Sequence, residues 1–533
     1  MKVTDCSGFS DSLPIGRPFL ASTGLQKPLT LLHRFITNAF WNVGGKIFVQ
    51  MIYFALSILI SRYLGAEGLG IYASILVVPA FVRLLNTLGL EGMLNKKLPE
   101  LNVHDPTGSE GRALLKKVLA WRVVTTLIFA SLLYGLLPAY ADWAKVPEII
   151  AYRPAIVLYF IAVTLNSMFG TLFMTLVRFR VVTIAESLNA CFNLFLLVMF
   201  IMFDWGIWGI LFAYILSTLA QLMFYIQLAR PHISGPVKET PMEEVRSLAW
   251  TVYGINLLSI GLWTQSDIML MNYFEVSRAG IGYYHLATSL GAMVVFALMG
   301  LGQLAQSLYS ESYARDGAPG LSSTWQMTIA FCAWITAPVG VFAFCFAPEI
   351  VSGLFGTEFA PVANVFRIYV TYLLIAAILG SDLNNFALFV LHKRKTALLI
   401  SFEGSVWNLI LDVLWIPLYG ETGAALATGS VMVYMVIRQL FAMRASVRSG
   451  ALLYPLILVV LVSLTALIPG WLMFGPGIPA LGFQILSFAM TFLLFTLWVK
   501  PLPPEVVDWA HTVSPKLAAR VQWFVKIKKI GFL

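Results

Sequence analysis

The sequence predicts an all-α polytopic membrane protein of about fourteen transmembrane helices: two parallel six-helix lobes plus two extra C-terminal helices. Three observations predict it. Apolar runs of roughly twenty residues, the length an α-helix needs to cross a bilayer, recur along the whole chain. Hydrophobic residues make up 59% of the chain and charged residues 11%, against roughly 45–50% and about 25% in soluble domains. The chain also resembles itself at an offset of about 212–215 residues, enough to hold six spans. An outer-membrane barrel is excluded, because its alternating ten-residue pattern is missing.

The spans fall at roughly 36–61, 68–90, 113–137, 150–176, 181–203, 206–229, 245–272, 280–306, 323–347, 361–391, 396–417, 421–444, 451–473 and 480–499. The connections on one side hold Lys96, Lys97, Arg112, Lys116, Lys117, Arg178, Arg180 and most later basic residues. Those on the other hold little more than Arg62, Lys145 and Arg278. By the positive-inside rule both termini are expected in the cytoplasm and the protein in the cell (inner) membrane. The net charge of +9 is then a matter of basic loops facing anionic lipid, and no nucleic-acid partner is expected. Residues 1–33 lack the pattern of a signal peptide and read as a cytoplasmic tail. The remaining units are an N-lobe at 34–230, a cytoplasmic linker at 231–244, a C-lobe at 245–445, the last two spans at 446–500, and a basic amphipathic tail at 501–533.

The repeat is carried by ordered pairs. Gly68-Leu69-Gly70-Ile71-Tyr72 matches Gly280-Ile281-Gly282-Tyr283-Tyr284, and Arg153 and Ser167 match Arg367 and Ser381. Phe192-Asn193-Leu194 matches Trp407-Asn408-Leu409, and Gly206-x-x-Gly209 matches Gly420-x-x-Gly423. An even number of spans separates the copies, so they share one orientation. Parallel repeats of this kind build transporters with a substrate site between the halves.

Polar groups inside the spans locate that site, because each is costly in hydrocarbon unless it meets water or a partner. Span 1 carries Asn42, Lys46, Gln50, Tyr53 and Ser57 within about an 80° sector. Polar helix packing would explain such a stripe; a wet cavity explains it with Lys46 included. Span 2 adds Arg83 and Asn86, and span 3 adds Arg122. Arg153 and Arg367 open spans 4 and 10, where snorkelling is the alternative role. Asp267 and Asp382 are candidates for a coupling role, against the plainer role of neutralising basic neighbours. The cationic excess suits an anionic substrate, above all a phosphate or pyrophosphate. The four cysteines have no metal-ligand spacing. No P-loop, zinc motif or catalytic triad is present, so no metal or cofactor is expected.

The stretch Ile60-Ser61-Arg62-Tyr63-Leu64-Gly65-Ala66-Glu67-Gly68-Leu69-Gly70-Ile71-Tyr72 resembles the hallmark segment of polysaccharide-biosynthesis and O-antigen repeat-unit flippases. Leu98-Pro99-Glu100 and Gly420-x-x-Gly423-Ala424-Ala425 are similar to the same family. The resemblance covers most of 36–445 and places the chain in the multidrug/oligosaccharidyl-lipid/polysaccharide exporter superfamily. It implies two pseudo-symmetric lobes and movement of undecaprenyl-pyrophosphate-linked oligosaccharides from inner to outer leaflet by alternating access. It also implies pathway partners, a polymerase and glycosyltransferases. Pro79, Arg83, Glu91 and Gly92 echo the lipid II branch, in which this arginine belongs to the cavity and the last two spans form a groove for the lipid tail. Ser61 replaces the usual alanine, a small-for-small change. A lipid II flippase and a cation-coupled multidrug exporter are the alternatives within the superfamily; the missing carboxylate on span 1 counts against the exporter. A membrane glycosyltransferase or polymerase is the alternative from another class, disfavoured by short outward loops.

Overall fold

The computed structural model describes residues 28–105, 107–176, 178–238, 266–299, 302–448, 453–474 and 477–499, with 253, 450, 515, 519 and 522; side chains are described from Gly44 on, apart from a few at segment ends. The expected tails at 1–33 and 501–533, the linker and most of span 7 therefore lie largely outside the described residues.

Every described element is helical. The first lobe comprises α1 (Pro28–Leu85), α2 (Leu90–His104), α3 (Ser109–Trp143), α4 (Arg153–Thr175), α5 (Phe179–Met202) and α6 (Gly206–Ile233). Next come α7 (Ser266–Tyr273), α8 (Arg278–Met299), α9 (Gly302–Cys345), α10 (Ala347–Phe355), α11 (Val362–Ile378), α12 (Ser381–Val390) and α13 (Arg394–Met443). The chain of described helices ends with α14 (Leu453–Phe474) and α15 (Leu481–Val499). Among the described residues, eleven segments are long and apolar enough to cross a membrane. Two of them are hairpins. α1 bends at Gly65 (φ 65°, ψ −177°), and Gln50 and Leu76 from its two arms line one cavity. α13 bends at Gly420 (φ 57°, ψ −131°), and Arg438 reaches back to Glu403 at 3.0 Å. Each hairpin supplies two crossings, so the described residues hold thirteen of the expected fourteen or so; most of span 7 lies outside them.

The polarity is that of a bundle whose solvent is lipid. Large apolar side chains such as Met202, Phe195 and Trp498 are exposed on the outside, while Asn193, Asn408 and Asp412 are buried. α1 to α6 pack on one another, as do α7 to α13, and the two groups meet along α1 and α8. α14 and α15 pair with each other and lean on α9.

The sequence repeat is visible in the backbone. Gly206 and Gly420 share a positive φ, 58° and 57°, which glycine adopts at little cost. Gly70 and Gly282 lie where α1 and α8 cross: a side chain at Gly70 would run into the Arg278 carbonyl, and one at Gly282 into the Ala66 carbonyl. The repeated glycines thus pack against each other's segments, as copies related by an axis between the lobes should.

The face of the bundle holding Gly65, Gly206 and Gly420, here the kink face, is sewn shut between the halves. Arg62 donates to the Gly353 and Leu354 carbonyls at 2.9 and 2.7 Å. The Ala66 amide donates to Glu358 at 2.7 Å. Lys145 pairs with Glu275, and Arg278 with Glu148 at 3.3 Å. At the opposite face the Asp105 carboxylate accepts from the Thr107 and Ser109 hydroxyls and the Glu110 amide, which together hold it well below the usual carboxylate range.

Candidate functional site

Lys46 and Arg83 belong to the two arms of α1, nineteen residues before Gly65 and eighteen after it. At 1.5 Å per residue both lie roughly 27–29 Å from the kink. The sequence alone puts Lys46 well inside the first span. With Gly65 marking one end of a hydrocarbon slab about 30 Å thick, the two cations instead sit near its other edge. Among the described residues neither makes a hydrogen bond or an ion pair. Glu186 of α5 is in electrostatic reach of Lys46, and Tyr159 of α4 in reach of Arg83. Arg83 is exposed and Lys46 half-buried. They form an open cationic vestibule.

Above the vestibule, towards the kink face, lies a cavity of about 300 Å³. Gln50, Tyr53, Ser57 and Tyr72 of α1 and Tyr214 of α6 line one side; His285 and Ser289 of α8 line the other. The Tyr72 ring meets His285 edge-on at 6.2 Å, and Tyr159 meets Tyr214 at 6.2 Å. Gln50, Tyr53 and Ser57 of the span 1 stripe thus face the space between the halves; Lys46 lies near Glu186 of α5, and the side chain of Asn42 lies outside the described residues.

The other expected site residues are held by the protein or stand apart; Arg122 is in electrostatic reach of Arg83 but is bound within the protein. Arg122 is 1% exposed. It pairs with Glu91 at 2.9 Å and donates to the Asn86 carbonyl at 2.5 Å. Glu91 also accepts from the Ser167 hydroxyl at 3.0 Å, and the Asn86 amide donates to Thr126 at 3.3 Å. This network braces the turn that follows α1 against α3 and α4; its charge is answered within the protein. Arg153 stacks on the Tyr134 ring at 3.6 Å. Arg367 donates to the Phe344 and Cys345 carbonyls at 3.0 and 3.2 Å, holding the end of α9. Both lie towards the kink face, away from Lys46 and Arg83.

Asp267 lies at the centre of a second polar site, in the other half. It is 5% exposed, and Asp412 beside it is fully buried. The Asn408 amide donates to both, at 2.9 and 2.8 Å. The Thr428 hydroxyl donates to Asp267 at 2.7 Å, and so does the Tyr284 hydroxyl. No basic side chain is among the described partners of either carboxylate. Asp382, the other coupling candidate, stands apart: it opens α12, is exposed, and has no described partner. Asp412 escaped the sequence reading, although it lies one helical turn from Asn408 in an apolar span, a position where an acid is itself a signal. Thr428 and Tyr284 carry no such mark.

Comparison with known proteins gives this geometry a family. A family model described as polysaccharide biosynthesis protein matches residues 59–364. No curated protein matches the chain. Among solved structures, the fold is similar to the lipid II flippase MurJ in an inward closed conformation. The TM-score is 0.69 at 15% identity, over 86% of this chain and 98% of that one. It is similar to a multidrug resistance MATE family transporter of the MOP superfamily in an inward-facing conformation. There the TM-score is 0.64 at 15% identity, over 78% and 98%. A MOP superfamily transporter from Pyrococcus furiosus, described as having a binding pocket of reverse polarity, aligns with a TM-score of 0.55 at 14% identity, over 81% and 96%. With more than half of its length matched by the family model, and with the helical bundle shared by MOP-superfamily transporters, this chain belongs to the polysaccharide biosynthesis protein family.

Proposed function

We propose that the protein is a flippase, not an enzyme, carrying polyprenyl-pyrophosphate-linked oligosaccharide repeat units from the inner to the outer leaflet by alternating access. The observation that carries this reading is the pair Lys46 and Arg83, two cations without an ion-pair partner among the described residues, near the edge of the hydrocarbon. A lipid pyrophosphate resides at that height, and guanidinium and ammonium groups bind it through charge-assisted hydrogen bonds. The basic loops of the same face make it the cytoplasmic one. The cross-lobe bonds of Arg62, Ala66 and Arg278 then close the far side while the vestibule stays open. Residues 34–230 and 245–445 would rock about the crossing of α1 and α8, and α14 with α15 would flank the path of the lipid tail. The cationic vestibule counts against a carrier of cationic drugs.

Asp267 and Asp412 are the proposed coupling site. Two carboxylates sharing one amide in a dry bundle repel each other strongly, and a proton or a cation between them relieves it. Binding there would bias the halves from a distance, as a coupling site must.

Arg83→Ala should abolish complementation of a flippase-deficient strain at normal expression, and Arg83→Lys should retain part of it. Full activity of the alanine variant would remove the arginine from the site and with it the main support for this function.

A further inference from the structure

We propose that Glu186 of α5 is a tethered counter-ion for Lys46: it takes the lysine when the headgroup leaves, and so sets how tightly the vestibule holds an anionic lipid. The role rests on the flippase reading and adds a positioning residue to the headgroup site, one that acts on the substrate only through Lys46.

Packing brings the carboxylate to this level. α1 and α5 lie side by side, and they touch at Gly45, where a side chain would run into Thr183. Lys46 is the next residue of α1, and Glu186 lies one turn beyond Thr183 on the same face of α5. An acid in an apolar span, half-buried, thus stands where the lysine enters the vestibule. An ionised group at the hydrocarbon is costly without a partner. Among the described residues, Lys46 is the charged group in electrostatic reach of Glu186; the other neighbours, Tyr53 of α1 and Tyr225 of α6, are phenols.

The first half holds two acid–base pairs, and they differ as a lock differs from a switch. Arg122 and Glu91 meet at 2.9 Å, with the Asn86 carbonyl and the Ser167 hydroxyl filling out the contact. A buried pair braced in this way is costly to break. Lys46 and Glu186 stop short of an ion pair, and neither makes a hydrogen bond among the described residues. Lys46 can therefore change partners. A lipid pyrophosphate offers it charge-assisted hydrogen bonds. A carboxylate fixed on the neighbouring helix competes at an effective concentration set by the fold. It weakens the loaded state, and it spares the emptied site an uncompensated ammonium. A carrier gains from both, because a headgroup bound on one face must be let go on the other.

The test is a binding titration on the full-length protein in nanodiscs, read by native mass spectrometry, with undecaprenyl pyrophosphate as the ligand. Glu186→Gln keeps the size of the side chain and removes its charge. It is expected to bind the lipid roughly tenfold more tightly than the wild-type protein, mostly through slower release. Glu186→Asp, whose carboxylate is drawn back by a methylene, should fall between the two. In a Lys46→Gln background, Glu186→Gln should move the affinity by less than about twofold, because the competitor has lost its object. A glutamate that only braces the helices predicts the opposite sign: its loss would loosen the site and weaken binding with or without the lysine. If Glu186→Gln binds no more tightly than the wild-type protein, or tightens binding equally without Lys46, the counter-ion role is overturned and the flippase reading stands. If neither the wild-type protein nor Glu186→Gln binds the lipid, the flippase reading itself falls and takes the counter-ion role with it.

Discussion

Two equivalent places in the two halves have become different sites. The repeat pairs Tyr72 with Tyr284, Asn193 with Asn408 and Tyr214 with Thr428; one turn beyond the asparagines it pairs Leu197 with Asp412. In the second half these positions surround a buried carboxylate network: Tyr284, Asn408 and Thr428 all donate to Asp267. In the first half Tyr72 and Tyr214 line an open cavity above two cations, Leu197 is packed in the core, and Asn193 is buried beneath. One backbone frame thus holds a wet site that can recognise a ligand and a dry site that can hold a proton or ion. The difference rests on a few side chains, chiefly Asp267 and Asp412. Divergence at these positions is what the proposed coupling role rests on.

The strongest way to break the comparison is to copy the first half into the second. Asp412→Leu installs the residue found at the matching position, Leu197. Removing a buried carboxylate in favour of an apolar side chain is neutral or stabilising in many proteins, so the thermal midpoint should hold or rise. Transport in a complementation assay should nevertheless fall to that of the empty vector. Normal transport by this variant would strip the carboxylate pair of its coupling role.

A smaller effect separates charge used for folding from charge used for transport. Glu91→Leu leaves Arg122, 1% exposed, without its ionic partner. Breaking such a pair costs about 3–5 kcal/mol, seen as a lowered unfolding midpoint and reduced membrane abundance. Replacing both residues by leucine should restore most of the loss. If the double variant is as unstable as the single, the arginine does more than brace the turn after α1.

Much of this was legible in the sequence. The spans, the repeat and the family followed from apolar length, spaced glycines and the segment at 60–72, because each reflects a local rule. The stripe from Lys46 to Ser57 was legible for the same reason: helical period alone puts those residues on one face. What local rules leave out is the partner. Arg122 and Arg83 look alike in a string of letters, one per span, yet one is answered by Glu91 from another helix and the other is open. The depth of Lys46 is set by the bend at Gly65 as well as by where the apolar run starts, and only the structure shows the bend. The Asp267 site was half legible: Asp267 is marked by its charge, while Asn408 and Thr428 become ligands only when α7 and α13 meet.

The smallest expected effect is the sharpest, because it uses the same residue in both halves. Asn408 shares its amide between two carboxylates. Asn193, its counterpart, is 1% exposed, and neither amide atom is hydrogen-bonded among the described residues. Burying an unpaired amide costs about 1–3 kcal/mol, so Asn193→Leu should raise the unfolding midpoint, whereas Asn408→Leu should lower it by taking a donor from both carboxylates. Side-by-side thermal unfolding of the two variants reads the signs. Equal signs would mean that the halves have not diverged at this position. A stabilised Asn193→Leu protein that transports slowly would say more: the amide finds its partner only when the halves have moved, and its cost in this conformation helps drive the protein out of it.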